Sequence, residues 1–463
     1  MQEVSHISDY SVSEVKDIID GEITYWPEGV KINGFMKSGY SFKEGSLYFL
    51  TQKIHDEDYL ISHLSKYKIA GVVVEENTKI DSSKWQKASI GIIKVYDLYQ
   101  AFYQMVKFVR EAVEIPMIEI IGTIGKTTIK EMMKSILQEE LICLTNRSQY
   151  NDISKMSYYL FKLESKHQAC ILETKIKQKG LLPFISDIIE PTIYVVTQIE
   201  HSQMHMYRDL KDNIKENQVL IIDSDNTTCP LDKVKGKVYR YGLQSDADIY
   251  ATDIRYQDGK TMFKAHLDQV ELNCCINTFG QYQVKNALCA ILVGLLCGLS
   301  NESIIKGLGN YQQLKGHSEC IKGINNSLII NDQYGSNILS VKGLLDEVSK
   351  IYTSKPIILI LGDLDKTVNK NEKYQKIIHQ EMGRYTKTIH YSYLVAIGQY
   401  ADEVIKGALK TGAKKPLLYS FRTIDECIPY IKNFILNDSV VILKTYYHNL
   451  DIKKMLFKMI ERP

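Results

Sequence analysis

Ile118-Glu119-Ile120-Ile121-Gly122-Thr123-Ile124-Gly125-Lys126-Thr127-Thr128-Ile129 is the stretch on which the reading of this 463-residue chain turns. Its isoleucine-rich start reads as a buried strand. A glycine-bounded turn follows, and Lys130-Glu131-Met132-Met133-Lys134-Ser135-Ile136-Leu137 continues at helical spacing. Strand, glycine turn and helix form the context in which Gly-Lys-Thr holds phosphate. Glycine lets the backbone come close to phosphate oxygens. The N–H groups of the turn and of the new helix point at the anion. The predicted phosphate contacts are Gly122, Thr123, Gly125, Lys126, Thr127 and Thr128, with Lys126 on the outer phosphates and the Thr127 hydroxyl on Mg²⁺. The loop reads G-x-x-G-K-T-T, shorter than the common G-x-x-x-x-G-K-T. Taken alone, it also fits a surface turn with a lysine opening a helix.

Outward from the loop, strands and helices alternate. Before it, Gly45–Leu50, Ile69–Val74 and Ile90–Val95 read as strands, and Tyr59–Tyr67 and Asp97–Glu114 as helices. Pro116 closes this small α/β block, so a first domain is expected over 1–115. After the loop, Leu141–Thr145, Ala169–Glu173, Thr192–Thr197, Leu220–Ile222 and Val238–Tyr239 read as strands. Tyr250–Leu272 alternates around Asp258-Gly259, a hairpin signal. The helical run Gln281–Leu299 closes a second domain, 116–310. Ser327–Asp332, Ile357–Asp363, Tyr393–Gly398 and Ser439–Lys444 give strands of a third, doubly wound block, 311–463. Strands alternating with helices imply mostly parallel sheets with the ligand at the strand C-terminal ends. Glu173 ends one such strand and Asp332 another.

Composition bounds the function class. The net charge is +2, which gives no electrostatic case for nucleic acid or for an anionic membrane. Residues 287–299 form the longest apolar stretch, too short to span a bilayer and interrupted by Gly294 and Gly298; it reads as a buried core helix. The N-terminal residues show neither a basic nor an apolar signal region. Nine cysteines lie scattered without a CxxC pair, neither a zinc pattern nor a disulfide framework, so reduced thiols in a cytoplasmic protein are expected.

Three α/β blocks with the short loop opening the second resemble the Mur ligase family, within it the type that adds D-alanyl-D-alanine to a UDP-muramyl-tripeptide. Thr145–Met156 is similar without gaps to the family's T-x-G-N-x-N-N-x-I-G-x-P. Glu173 falls at the family's strand-end Mg²⁺ glutamate, and Gly180 also matches. Asn286-Ala287-Leu288 matches the segment whose asparagine contacts adenine. Asp332-Gln333-Tyr334-Gly335-Ser336-Asn337 resembles D-x-Y-x-x-N of the C-terminal domain, followed by Leu361-Gly362-Asp363. The resemblance implies a three-domain α/β architecture with a P-loop central domain and a Rossmann-like C-terminal domain. It implies a ligase using ATP and Mg²⁺ that activates a carboxylate as an acyl phosphate, which an amine then attacks. Lys126, Glu173 and Asp332 are the implied catalytic residues. Thr127, Glu173 and Gln203 would hold the metal, and Asn286, His317, Asp332, Tyr334 and Asn337 would contact the nucleotide. A monomer acting on a small or peptidyl carboxylate and an amino acid or peptide amine is expected, in the cytoplasm.

The departures from the family are specific. Gln203 stands where a metal-binding histidine is expected, with His201 and His205 on either side. The family's carbamylated lysine should fall near Asn217, with Lys211 and Lys215 nearby but out of register. Gly-Arg appears as Gly316-His317, which would make the charge there dependent on pH. The adenine segment's His/Asn pair is Tyr282 and Gln283, and the C-terminal Lys-Gly-Ser-Arg is Lys444-Thr445-Tyr446-Tyr447. In the first domain, the Asp-Ser-Arg facing the uridine nucleotide is replaced within Met36–Tyr40. These changes favour a carboxylate other than the usual one. A standard cell-wall ligase and a nucleotide-binding protein with weak or no ligase activity, working through a partner, remain the alternatives.

Overall fold

Three sheets follow one another along the chain in a computed structural model. It describes residues 9–37, 43–147, 153–176, 179–199, 210–225, 234–257, 260–278, 280–334, 336–364, 371–446 and 452–460. The first sheet runs in the order Glu22–Tyr25, Gly91–Val95, Gly71–Glu75, Leu47–Phe49, Phe35–Lys37. All its neighbours are parallel except the edge strand Glu22–Tyr25. The helix Leu98–Glu111 covers one face. Asp97 starts it by accepting the Tyr99 and Gln100 N–H groups, satisfying donors that a helix start leaves open.

The second sheet has nine strands in the order Val270–Ile276, Lys260–Leu267, Ile249–Gln257, Lys237–Tyr241, Val219–Asp223, Ile193–Val196, Met117–Ile121, Ala169–Glu173, Cys143–Thr145. From Ile249–Gln257 to Cys143–Thr145 neighbours are parallel, and the last two strands turn back antiparallel. The alternating run after Tyr250 thus makes three strands, because Asp268-Gln269 supplies a second turn. The Asp258-Gly259 turn lies outside the described residues, while its flanks pair antiparallel, Gln257 with Lys260.

Apolar strands that are buried on both faces need cover on both. On one face the helices Lys126–Leu137, Gln281–Leu296 and Asn301–Asn310 close a core with Ile118, Ile120 and Val195. On the other, Met117, Leu172 and Tyr194 join one continuous core with Phe49 and Phe102 of the first unit. Arg110 ties the same junction. Its guanidinium donates to the carbonyls of Ile189, Glu190 and Val113 at 2.5, 2.9 and 3.0 Å, capping the end of the helix Leu181–Ile189.

The third sheet runs Glu319–Lys322, Leu328–Asp332, Val440–Lys444, Ile357–Gly362, Tyr393–Ile397, Leu418–Phe421. It is parallel apart from its antiparallel first strand, with separate apolar cores on its two faces. No helix among the described residues is long and apolar enough to cross a membrane.

Candidate active site

The loop after Met117–Ile121 owes its shape to its neighbour strand. Ile121 pairs with Val196, which brings Thr197 and Gln198 against the turn. The Thr197 N–H donates to the Ile121 carbonyl at 3.0 Å, and the Thr123 N–H donates to the Gln198 carbonyl at 2.9 Å. Gly122 has φ 126° and lies so close to the Thr197 hydroxyl that a Cβ would overlap it. Gly125, at φ 89°, opens the helix Lys126–Leu137 without a side-chain cap. That helix start therefore presents its N–H groups and the positive end of its dipole to the cleft.

The cleft has a volume of about 280 Å³, near the lower end for small-molecule sites. One wall comes from the ends of the parallel strands of the second sheet, with Thr123, Gly125, Lys126, Thr127, Thr128, Glu173 and Asn286 among its residues. The other comes from the third unit, with His317, Asp332, Tyr334, Asn337 and Lys444. The structure thus gathers the predicted site residues from both units at one cleft. Gly122 stands just behind it, and its carbonyl accepts from the Lys126 ammonium at 2.7 Å. Burial pulls the Lys126 pKa down, and the Glu173 carboxylate opposes that shift. Gln203, His201 and His205 fall outside the described residues.

Thr127 and Glu173 meet directly: the Thr127 hydroxyl donates to Glu173 Oε2 at 2.9 Å. Two hard oxygen donors converging at a phosphate loop fit Mg²⁺, which keeps several waters and takes few protein oxygens. Among the described residues no group of three or more His, Cys, Asp or Glu could hold a metal by itself.

The third-unit wall is built differently. Asp332 Oδ1 accepts the Ser318 N–H at 2.9 Å, and Oδ2 accepts from the Lys444 ammonium at 2.6 Å. Lys444 also donates to the Tyr334 carbonyl at 3.2 Å. The His317 ring stacks on Tyr334, centroids 4.2 Å apart. Burial pushes its pKa down to about 4, against the opposing pull of Asp332. The ring is therefore neutral near pH 7, and the pH-dependent charge expected there falls below the neutral range. Asn337 caps the helix Ile338–Ile351, accepting the Ser340 N–H at 2.9 Å. Tyr282 crosses between the units, its hydroxyl donating to the Ser318 hydroxyl at 2.7 Å.

Sequence reasoning passed over Lys130, Asn146, Asp223 and Lys285. Lys285 sits 2.6 Å from both Asp223 and Asp225 at the lip of the cleft. A lysine one turn after the loop and a strand-end acid were visible signals, but nothing local shows that they pair. Lys211 and Lys215 are not among the residues lining the cleft.

Residues 120–294 match the model of the Mur ligase middle domain. The chain is 24% identical over 434 residues to the UDP-N-acetylmuramoyl-tripeptide–D-alanyl-D-alanine ligase of Haemophilus influenzae, covering 89% of this chain and 90% of that one. The chain therefore carries a Mur ligase middle domain. A ligase of the same name from Bacillus subtilis is 23% identical over 329 residues, 69% of this chain and 70% of its own length. In fold, the chain is similar to crystal structure I of MurF from Acinetobacter baumannii, with a TM-score of 0.82, 21% identity and coverage of 97% and 99%. It is also similar to MurF ligase from Thermotoga maritima in complex with ADP, with a TM-score of 0.74, 14% identity and coverage of 92% and 96%.

Proposed function

We propose that the chain is a Mur ligase that uses ATP to join a carboxylate to an amine, forming an amide bond and releasing ADP and phosphate. The observation that carries the reading is the Thr127–Glu173 contact at the mouth of the glycine loop, 2.9 Å long and lining a cleft closed from the far side by the third unit. A carboxylate is a poor electrophile, and phosphorylation converts it to an acyl phosphate that an amine can attack. Charge builds on the transferring phosphoryl group, so fixed cations and donors are what the step needs. Mg²⁺, bound through Thr127 and Glu173, would supply charge neutralisation on the phosphates. Lys126 would exchange its carbonyl contacts for phosphate oxygens. The open N–H groups after Gly125 would bind the chain of phosphates, and Asn286 would hold the base beside the loop. Asp332, Tyr334, Asn337 and His317 would bring the third-unit wall against the nucleotide.

For the substrates, the names of the relatives favour UDP-muramyl-tripeptide and D-alanyl-D-alanine. The expectation of a different carboxylate finds no support in them; it rests only on the changes within Met36–Tyr40, of which residues 38–40 lie outside the described ones. ATP as a substrate fits a cytoplasmic location. The test is ADP formation by the purified protein with ATP, Mg²⁺ and a panel of carboxylates and amines that includes this pair. Turnover that requires both partners is expected with UDP-muramyl-tripeptide and D-alanyl-D-alanine. Turnover only with another pair would overturn the substrate reading, and nucleotide binding with no turnover on any pair would overturn the ligase.

A further inference from the structure

Lys130 has no part in the chemistry described above, yet it lies beneath it. It is one turn beyond Thr127 on the Lys126–Leu137 helix and is completely buried. Its ammonium donates to the Asn146 carbonyl at 2.7 Å and to Glu173 Oε2 at 3.3 Å, and lies 3.5 Å from Glu131 Oε1. The oxygen it reaches on Glu173 is the one that accepts from Thr127. Asn146 grips the same residue through its backbone: its amide nitrogen donates to the Glu173 carbonyl at 2.8 Å, and its amide oxygen accepts the Glu173 N–H at 2.9 Å. Lys130, held by the Asn146 carbonyl, and Asn146, held by the Glu173 backbone, thus form a closed ring around one carboxylate.

A buried ammonium is costly to desolvate, and its attraction to a carboxylate offsets that only in good geometry. An uncharged donor or an apolar side chain would fill the same space with less penalty. The placement also differs from that of Lys126, whose ammonium reaches the loop carbonyls of Gly122 and Thr123 at 2.7 and 3.4 Å and faces the cleft. Lys126 is placed to meet a ligand, whereas Lys130 meets only the protein.

We propose that Lys130 is a positioning residue for the metal carboxylate. It fixes the Glu173 side chain against Thr127, so that the two oxygen donors stand together before Mg²⁺ and nucleotide arrive. Groups that orient metal ligands from behind typically change metal affinity about 10–100-fold when removed. This inference rests on the reading of Thr127 and Glu173 as the metal pair.

The test measures ADP binding by the full-length protein, by calorimetry, across a Mg²⁺ titration and in excess chelator. Lys130→Met is expected to raise the Mg²⁺ concentration for half-maximal tight binding about tenfold or more, with Mg²⁺-free ADP affinity unchanged. Lys130→Arg, which keeps a cation, is expected to restore most of the loss. Lys130→Gln serves where the methionine variant does not fold, since it keeps a donor and loses the charge. A Mg²⁺ requirement equal to wild type in a folded Lys130→Met or Lys130→Gln protein would overturn the proposal. An equal loss of ADP affinity with and without Mg²⁺ would also overturn it, by reducing Lys130 to a structural support. Glu173→Gln separates the two layers. If it loses the Mg²⁺ effect while the Lys130 variants keep it, the positioning role fails alone. If Glu173→Gln leaves the Mg²⁺ effect intact, the metal pair fails and the proposal with it.

Discussion

The two walls of the cleft both carry a buried lysine–carboxylate pair, and they use it in different ways. On the loop wall, Lys130 and Thr127 converge on one oxygen of Glu173, and Lys126 and the helix start face the cleft. On the third-unit wall, Asp332 gives one oxygen to the Ser318 N–H and the other to Lys444. Asn337 caps a helix there, and His317 is stacked and neutral near pH 7. The first wall is shaped to receive charge, whereas the second spends its polar side chains on its own order. A motif residue that lines a cleft can therefore owe its identity to chemistry on one wall and to folding on the other. Substitutions tell these apart.

The largest expected effect is on the loop wall. Lys126→Ala should lower ATP turnover on the order of 10³-fold or more, because a fixed cation at the transferring phosphoryl group is lost, with little change in thermal stability. Steady-state ADP release checks it, and an unchanged rate would remove the loop from the chemistry. Next comes Asp332→Ala. It strands Lys444, 1% exposed, and breaking a buried pair from one side typically costs about 3–5 kcal/mol. Chemical denaturation should show that loss. Asp332 would count as a nucleotide contact, and not as a partner for Lys444, if stability held while turnover fell.

The contrast also marks what the sequence could convey. The loop was legible because its signal is local: Gly122 to Thr128 are contiguous in sequence, and φ 126° and 89° at the two glycines are what such a turn requires. Glu173 and Asp332 were legible as acids ending apolar strands, since parallel α/β sheets bind ligands at those ends. The pairing of each acid was not. Lys130 is 43 residues from Glu173 and Lys444 is 112 from Asp332, and sequence periodicity carries no information about contacts at that separation. The cap formed by Asn337 is local, but the same asparagine fits a turn, a cap or a nucleotide contact equally well. The short strands Glu22–Tyr25, Phe35–Lys37, Glu319–Lys322 and Leu418–Phe421 escaped notice because three or four residues are too few for a period.

Behind the loop wall lies a third buried ionisable group, of another kind. Glu119, in the strand that leads into the loop, is fully buried between Leu172 and Tyr194 on the neighbouring strands. Burial pushes its carboxyl up to about 8. Its pKa is higher folded than unfolded, so the folded state binds the extra proton, and stability falls as pH rises from the ordinary carboxylate range to about 8. The slope from this group approaches about 1.4 kcal/mol per pH unit at most. Glu119→Gln should flatten the denaturation profile between pH 5 and 8. An unaltered slope would mean that the carboxyl is not held neutral.

The smallest effect decides the most about the third-unit wall. Asn337→Ala removes the acceptor for the Ser340 N–H and should cost about 1 kcal/mol. Asn337→Ser keeps a capping oxygen on a shorter side chain and should recover most of that stability. Turnover then separates the roles. If the serine variant regains both stability and rate, the asparagine serves the helix, and its appearance in a nucleotide-site motif reflects the need to start Ile338–Ile351 at the cleft. If stability returns while the rate stays low, the longer amide does a second job that serine cannot reach. That result would make the two walls more alike than their hydrogen bonds suggest.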